Sequence, residues 1–496
     1  MILKRLIEIL KTFDKEELKK FERFLRSDFF NTNESITGLF KALKKFYPEF
    51  NSSLLTQEKL FRQIYGSRKF DDKTFRYLIT ELYELAEKYL AISAYDRYPV
   101  EEKKILIDEL LTRKLFSHAN RHLKAADKEF EHEPVFSIDN INNKKEFAIL
   151  WNHLSLSMDK QEAMADKRLE LAENFVYYAI SELVTIYNIL IGIKNAYNID
   201  FDSRIVESFI KNMDFKSMLK SLDDPDILEN ISKSKWANIQ AFKAYICFII
   251  TLLDIKDEIY FYRMKDILEN SSNLFASEDL YNLYGMLDSC CHLKRMAIDD
   301  NKYLREYFIL EKSALDKGLL THSEEQFMQA GSFIRLFDTA ITLGEPCWAK
   351  NLIDKYLDKT SPELKDDISN YSKAQLNFLE GKYENALDCI TKVKFGYFTF
   401  KVYVRSLMLK IYYELNYTEE VFSLIDSFSG FLNENKRVNP NIRTDYLNFL
   451  LFVKNLLKNK TGDYSKEKQR KVADEITKCN TVANKPWLLE KAGELF

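Results

Sequence analysis

The chain has 496 residues, more than one ordinary hydrophobic core can use, so it holds either several domains or an extended repeat array. Only 12 Gly and 8 Pro punctuate it, while 46% of residues are hydrophobic and 30% charged; turns must be short and the elements between them long and amphipathic, as in an all-α protein. The net charge of -3 comes from interspersed acids and bases, which leaves no large basic excess to announce a nucleic-acid or acidic-membrane partner.

The N-terminal run is cut by Lys4, Arg5 and Glu8 and is too short for a signal peptide, so export is not expected and a cytoplasmic location is. Ile2 to Phe13 read as a first helix. Asp14 with Glu17 forms a capping box ahead of Leu18, Phe21, Phe24 and Leu25. Thr32 or Asn33 caps a helix over Ile36 to Phe46, Thr56 precedes "QEKLFRQIYG" with Gly66 as a stop, and Phe75, Leu78, Ile79, Leu82, Leu85, Ala86 and Tyr89 share one face of a fifth. The break "AYDRYPV", containing Pro99, sets the expected boundary between a helical bundle module of residues 1-95 and a helical array of residues 100-496.

Beyond it, helices are expected over Ile105 to Phe130, Phe147 to Met158, Gln161 to Tyr197 and Lys235 to Leu253, then as paired segments to the end. Glu133 to Lys145, Lys436 to Arg443 and Asn459 to Lys468 read as loops. Phe175 to Ile193 is long enough to cross a bilayer, but Glu182 and Asn188 lie inside it and no stop-transfer cluster flanks it, so a buried helix and no membrane insertion are expected. The six cysteines have no metal-ligand spacing and mostly sit within apolar helical pattern, as reduced buried thiols do.

A repeat organises the C-terminal half. Gly344, Gly381 and Asn416 stand 37 and 35 residues apart; five residues after each come Ala349, Ala386 and Val421, and four further on Ile353, Ile390 and Ile425. Residues able to take the left-handed conformation close one helix, and a small or compact residue follows where the next helix crosses its neighbour. The segments "ITLGEPCWAKNLIDKYL", "NFLEGKYENALDCITKV" and "YELNYTEEVFSLIDSF" resemble tetratricopeptide repeats (TPR), visibly over residues 331-428. Phe337 and Leu409 replace the small residue that such repeats place midway along their first helix, and Asn370 stands where their consensus has an aromatic. Leu115 to Asp127 and the segment around Trp236 are candidates for more degenerate copies. The resemblance implies an α-solenoid of helix hairpins and a binding scaffold; Arg335, Asp338, Gln375, Lys410 and Tyr413 are the candidate contacts with a protein or peptide partner.

Motifs for other chemistry are weak. No two glycines lie closer than 13 residues, so the phosphate-cradling loops and the strained nucleophile turn are absent, and neither an enzyme nor a cofactor is expected. His118, His122 and Glu129 fall near one helix face without a further strong ligand, and Cys290, Cys291 and His292 are adjacent, which points them in different directions; no metal site or catalytic pair is expected. The alternative function is a regulator whose head binds nucleic acid, since "TQEKLFRQIYG" and "DDKTFRYLITEL" have the order of a helix-turn-helix. Residues 1-95 carry 18 Lys and Arg against 14 Asp and Glu. Against it stand the long connection "SRKFDD" and Glu81, Glu84 and Glu87 on the reading helix.

Overall fold

The structure is a computed structural model describing residues 2-50, 55-95, 97-131, 135-158, 165-197, 199, 202-228, 233-298, 301-319, 327-394, 398-435, 438-462 and 466-495. Among them the fold is all-α: the nearest approach to strand is two isolated bridges, Phe136 with Phe275 and Met328 with Thr360. The chain forms two compact units, residues 1-126 with 149-164 and residues 127-148 with 165-496. The division thus falls beyond the expected Pro99, which instead opens a helix of the first unit.

In the first unit the expected helices form as α1 (Ile2–Thr12), α2 (Lys15–Leu25), α3 (Glu34–Lys44), α4 (Gln57–Tyr65) and α5 (Asp72–Tyr95), followed by α6 (Pro99–Thr112). The capping box is present: Glu17 N donates to Asp14 Oδ1 at 2.7 Å and Asp14 N to Glu17 Oε2 at 3.0 Å. Asn33 caps α3 through Ser35 N, Thr56 caps α4 through Lys59 N, and Gly66 leaves α4 at φ 66°. The apolar faces of α1 to α5 close on an aromatic centre, where Phe21 lies 4.9 Å from Phe40 and 5.1 Å from Tyr89.

The single helix expected over Ile105 to Phe130 is two, α6 and α7 (Phe116–Glu131), because Lys114 takes φ 61° and Leu115 N turns back to the Leu110 carbonyl. Next, α8 (Ile138–Ser157) begins inside the expected loop of Glu133 to Lys145. Its first amide is met from far away: Ile138 N donates to both carboxylate oxygens of Asp279, at 3.4 and 3.3 Å. That carboxylate is buried, and desolvation pushes it up to about 7 against the pull of the same amide.

The second unit continues with α9 (Ala165–Tyr197), α10 (Arg204–Asn212), α11 (Phe215–Ser221), α12 (Pro225–Leu228), α13 (Lys233–Leu253), α14 (Ile259–Asn270), α15 (Ser277–Ile298), α16 (Asn301–Asp316), α17 (Ala330–Thr342), α18 (Pro346–Tyr356), α19 (Pro362–Leu379), α20 (Tyr383–Ile390), α21 (Phe398–Glu414), α22 (Thr418–Glu434), α23 (Pro440–Thr461), α24 (Lys466–Lys478) and α25 (Lys485–Gly493). The expected loops at Lys436 to Arg443 and Asn459 to Lys468 are shorter than drawn, since α23 starts at Pro440 and runs to Thr461. From α13 onward consecutive helices pack pairwise, and α13 also meets α15, α17 meets α19, and α19 meets α21. Gly344, Gly381 and Asn416 close their helices at φ 76°, 72° and 59°, and Ala349, Ala386 and Val421 are all fully buried.

Among the described residues two helices are long and apolar enough to cross a membrane, and they differ. In α13 the apolar window is 83% buried; in α9 it is only 22% buried, so the expectation of a buried helix over Phe175 to Ile193 does not hold. The reason is coverage: α9 packs on α13 and α15 along one side, with Tyr177 edge-on to Phe242 at 5.1 Å, and its other side stays exposed.

Candidate functional site

Three of the five candidate contacts, Asp338, Gln375 and Lys410, interact across α17, α19 and α21, and Arg335 stands one turn before Asp338 on α17 with partners of its own. Helical spacing puts Arg335 and Asp338 on one stripe of α17, because residues three apart lie on neighbouring turns of the same face. Arg335 Nη2 donates to Asp288 Oδ2 on α15 at 2.8 Å, and Arg335 Nε donates to the Tyr307 hydroxyl on α16 at 3.2 Å. Its guanidinium also lies 5.2 Å from the Tyr307 ring. The Asp288 charge raises Arg335 further above the usual arginine range, so this cation stays charged at every working pH.

Beside that pair, Glu311 is pushed up, first by desolvation and then by repulsion from Asp288. Asp288, Glu311 and Arg335 line a cavity of about 220 Å³ together with Asn188 of α9 and Gln329 and Ser332 at the start of α17. The cavity therefore brings a fixed cation and two acids, one of them readily protonated, against amide and hydroxyl groups.

One turn along α17, Asp338 Oδ2 accepts from the Tyr371 hydroxyl at 2.8 Å and Oδ1 from Gln375 Nε2 at 3.2 Å, both from α19. Desolvation raises Asp338 to about 6, although these hydrogen bonds and the charge of Lys410 oppose it. Lys410, on α21, is pushed down to about 8 by desolvation, with Asp338, Glu414 and Glu490 pulling the other way, and its Nζ lies 5.1 Å from the Phe378 ring. Arg335 is exposed and Asp338 and Lys410 are half-buried, whereas Gln375 is buried and available only through its hydrogen bonds.

Tyr413 lies elsewhere. It is 2% exposed, edge-on to Trp487 at 5.3 Å with Lys460 Nζ 4.8 Å from its ring, so it is a packing residue and offers no surface to a partner. The same region holds a feature that sequence reasoning missed. Glu414 of α21 accepts from Trp487 Nε1 at 3.0 Å and pairs with buried Lys491 at 2.9 Å, and Lys491 also meets Glu490 and Glu494. Burial works against the Lys491 charge, yet the bonds to Glu494, Glu414 and Glu490 prevail and raise it, which fixes α25 on α21. No local pattern marks Glu414 as the acceptor of a cation far along the chain.

The remaining candidates stay apart. Cys290 and Cys291 are buried, with thiols pushed up by desolvation, while His292 is on the exposed side of α15. His118 is exposed, His122 lies beside Arg121, and among the described residues no three His, Cys, Asp or Glu side chains converge as metal ligands. The two helices of the suspected reading head form as α4 and α5, where Tyr77 donates to Glu81 on the outer face of α5. No protein-family model matches the chain, and neither does a curated protein or a solved structure.

Proposed function

We propose that this chain is a non-enzymatic scaffold that binds a protein or peptide, and that helices α13 to α25 stack as a TPR-like α-solenoid whose first-helix face holds the partner. The hairpin reading is supported by left-handed closures at Gly344, Gly381 and Asn416, each followed five residues later by a fully buried crossing residue. The observation that carries the binding reading is the strip formed by Arg335, Asp338 and Lys410. Lys410 of α21 is near enough to Asp338 of α17 for their charges to interact, although they stand 72 positions apart, and Tyr371 and Gln375 of α19 both hydrogen-bond Asp338. Charged groups held desolvated at a surface are costly to keep for stability alone. They suit a face that exchanges its remaining water for the polar groups of a partner, where complementarity sets specificity.

The test removes charge while keeping shape. Full-length protein immobilised in extract of its native cell should retain a protein partner, and the double variant Asp338→Asn, Lys410→Met should retain about tenfold less at unchanged helicity. Equal retention by the double variant would overturn the reading. So would salt-dependent binding of duplex DNA that disappears when residues 1-95 are removed.

A further inference from the structure

Helix α9 is apolar on two opposite sides, and the fold uses only one. Asn174, Tyr177, Ile180, Ser181 and Val184 are buried toward the core of their unit. On the far side, Val176, Ala179, Leu183, Ile186, Leu190 and Ile193 succeed one another at alternating intervals of three and four. That alternation is the seam of a coiled coil, which packs against another helix. It is partly open here: Val176 is 45% and Ile186 46% exposed, Phe175 and Ile189 are exposed beside them, and Ala179, Leu183, Leu190 and Ile193 are half-buried.

We infer that this seam pairs with the same seam of a second copy of the chain, the two α9 helices running antiparallel. Self-complementarity selects both the partner and the direction. Setting Leu183 opposite Ile186 of the second copy puts Val176 opposite Ile193 and Ala179 opposite Leu190, so each small side chain faces a large one. The same register brings Glu173 beside Lys194 of the second copy at both ends of the seam, opposite charges at the flanking positions that set orientation. A parallel pair would put Ala179 on Ala179, leaving a gap in the seam that the antiparallel register fills with Leu190. A bilayer would have to take up Glu182 midway along the apolar face, whereas in the antiparallel pair that carboxylate stays at the solvated edge. The contact is isologous, and twofold symmetry closes it at a dimer.

Sedimentation of the full-length protein at micromolar concentration should give a species of twice the chain mass of 58.7 kDa. The variant Val176→Glu, Ile186→Glu, both at exposed positions, should weaken association about 30-fold or more, as loss of central interface residues does. Its helicity and melting should match the parent. Lys194→Glu, at the periphery, should weaken association more mildly. Direction is read by oxidation: a mixture of Ala179→Cys and Leu190→Cys proteins should form a disulfide between those two positions. A monomeric parent, a dimer unaffected by V176E/I186E, a cross-link joining two copies through position 179, or co-flotation with phosphatidylcholine vesicles would each overturn the inference.

Discussion

At Ala386 the side chain is a single methyl group with no exposed surface, on α20 where that helix packs against α19. Ala386→Glu would bring a carboxylate into a space that holds no partner for it, and the loss should be about 3 kcal/mol. Urea denaturation measures it; a midpoint equal to the parent's would show that the crossing opens at little cost. The charged strip makes a separate forecast in pH. Asp338 sits at about 6 in the fold against an ordinary 3.8, so between roughly 4 and 6 the folded chain keeps a proton that the unfolded chain has lost. Stability from this group is complete below that window and declines as pH rises through it. Lys410, at about 8 against an ordinary 10.5, works in a higher window: the folded chain gives up its proton first, and stability rises from roughly pH 8 to 10.5. Asp338→Asn should therefore melt close to the parent at pH 4 and above it at pH 7. A melting difference independent of pH would mean the carboxyl titrates normally.

Helix ends divide what local sequence can announce from what it cannot. The capping box at Asp14, the stop at Gly66 and the closures at Gly344, Gly381 and Asn416 were legible because each lies within a few residues and depends on backbone chemistry that only certain side chains allow. Gly381, at φ 72° with open space around its Cβ direction, makes this measurable. Gly381→Val should cost about 1–2 kcal/mol from the left-handed backbone alone, while Asn416→Gly should leave stability unchanged or slightly raised; equal effects of the two in thermal melts would remove the backbone explanation. The break at Lys114 was not legible, since lysine carries no preference for φ 61° and the turn is held by its neighbours. Nor was the start of α8, whose first amide depends on Asp279, 141 residues away. At the candidate site, helical spacing grouped Arg335 with Asp338, but Tyr413 reads the same in sequence and is buried, because only the docking of α25 decides which side of α21 meets solvent. Helix α9 fails for a related reason: apolar periodicity reports that a face wants cover without reporting whether this chain provides it.

Cores set how the molecule comes apart. The cluster built on Leu6, Phe21, Phe40, Phe61, Phe75 and Leu82 takes all its buried members from α1 to α5 and the turns between them, none from beyond Tyr89. The buried cores of the second unit draw only on residues from Phe136 onward. A segment that encloses its own apolar cluster has what it needs to fold alone, and 95 residues is within the size range in which single domains do so. The fragment of residues 1-95 should accordingly be helical and unfold in one cooperative transition, even though the first compact unit extends to residue 126 and takes in 149-164. Phe21 is the sharpest probe, since it is fully buried and its ring touches those of Phe13, Phe24, Phe40 and Tyr89. Phe21→Ala should remove about 3–5 kcal/mol, by loss of transfer energy and by leaving a cavity that four rings cannot close. In the fragment that is a large share of the about 5–15 kcal/mol that a small domain holds in total, so its transition should move to a much lower temperature. In the full-length chain the same substitution should lower one transition and leave the melting of the remaining helices in place. A fragment that is unstructured, or a full-length variant whose entire helical signal moves as one, would show instead that α6 and α7 belong to the first core energetically and that the boundary lies beyond Tyr95.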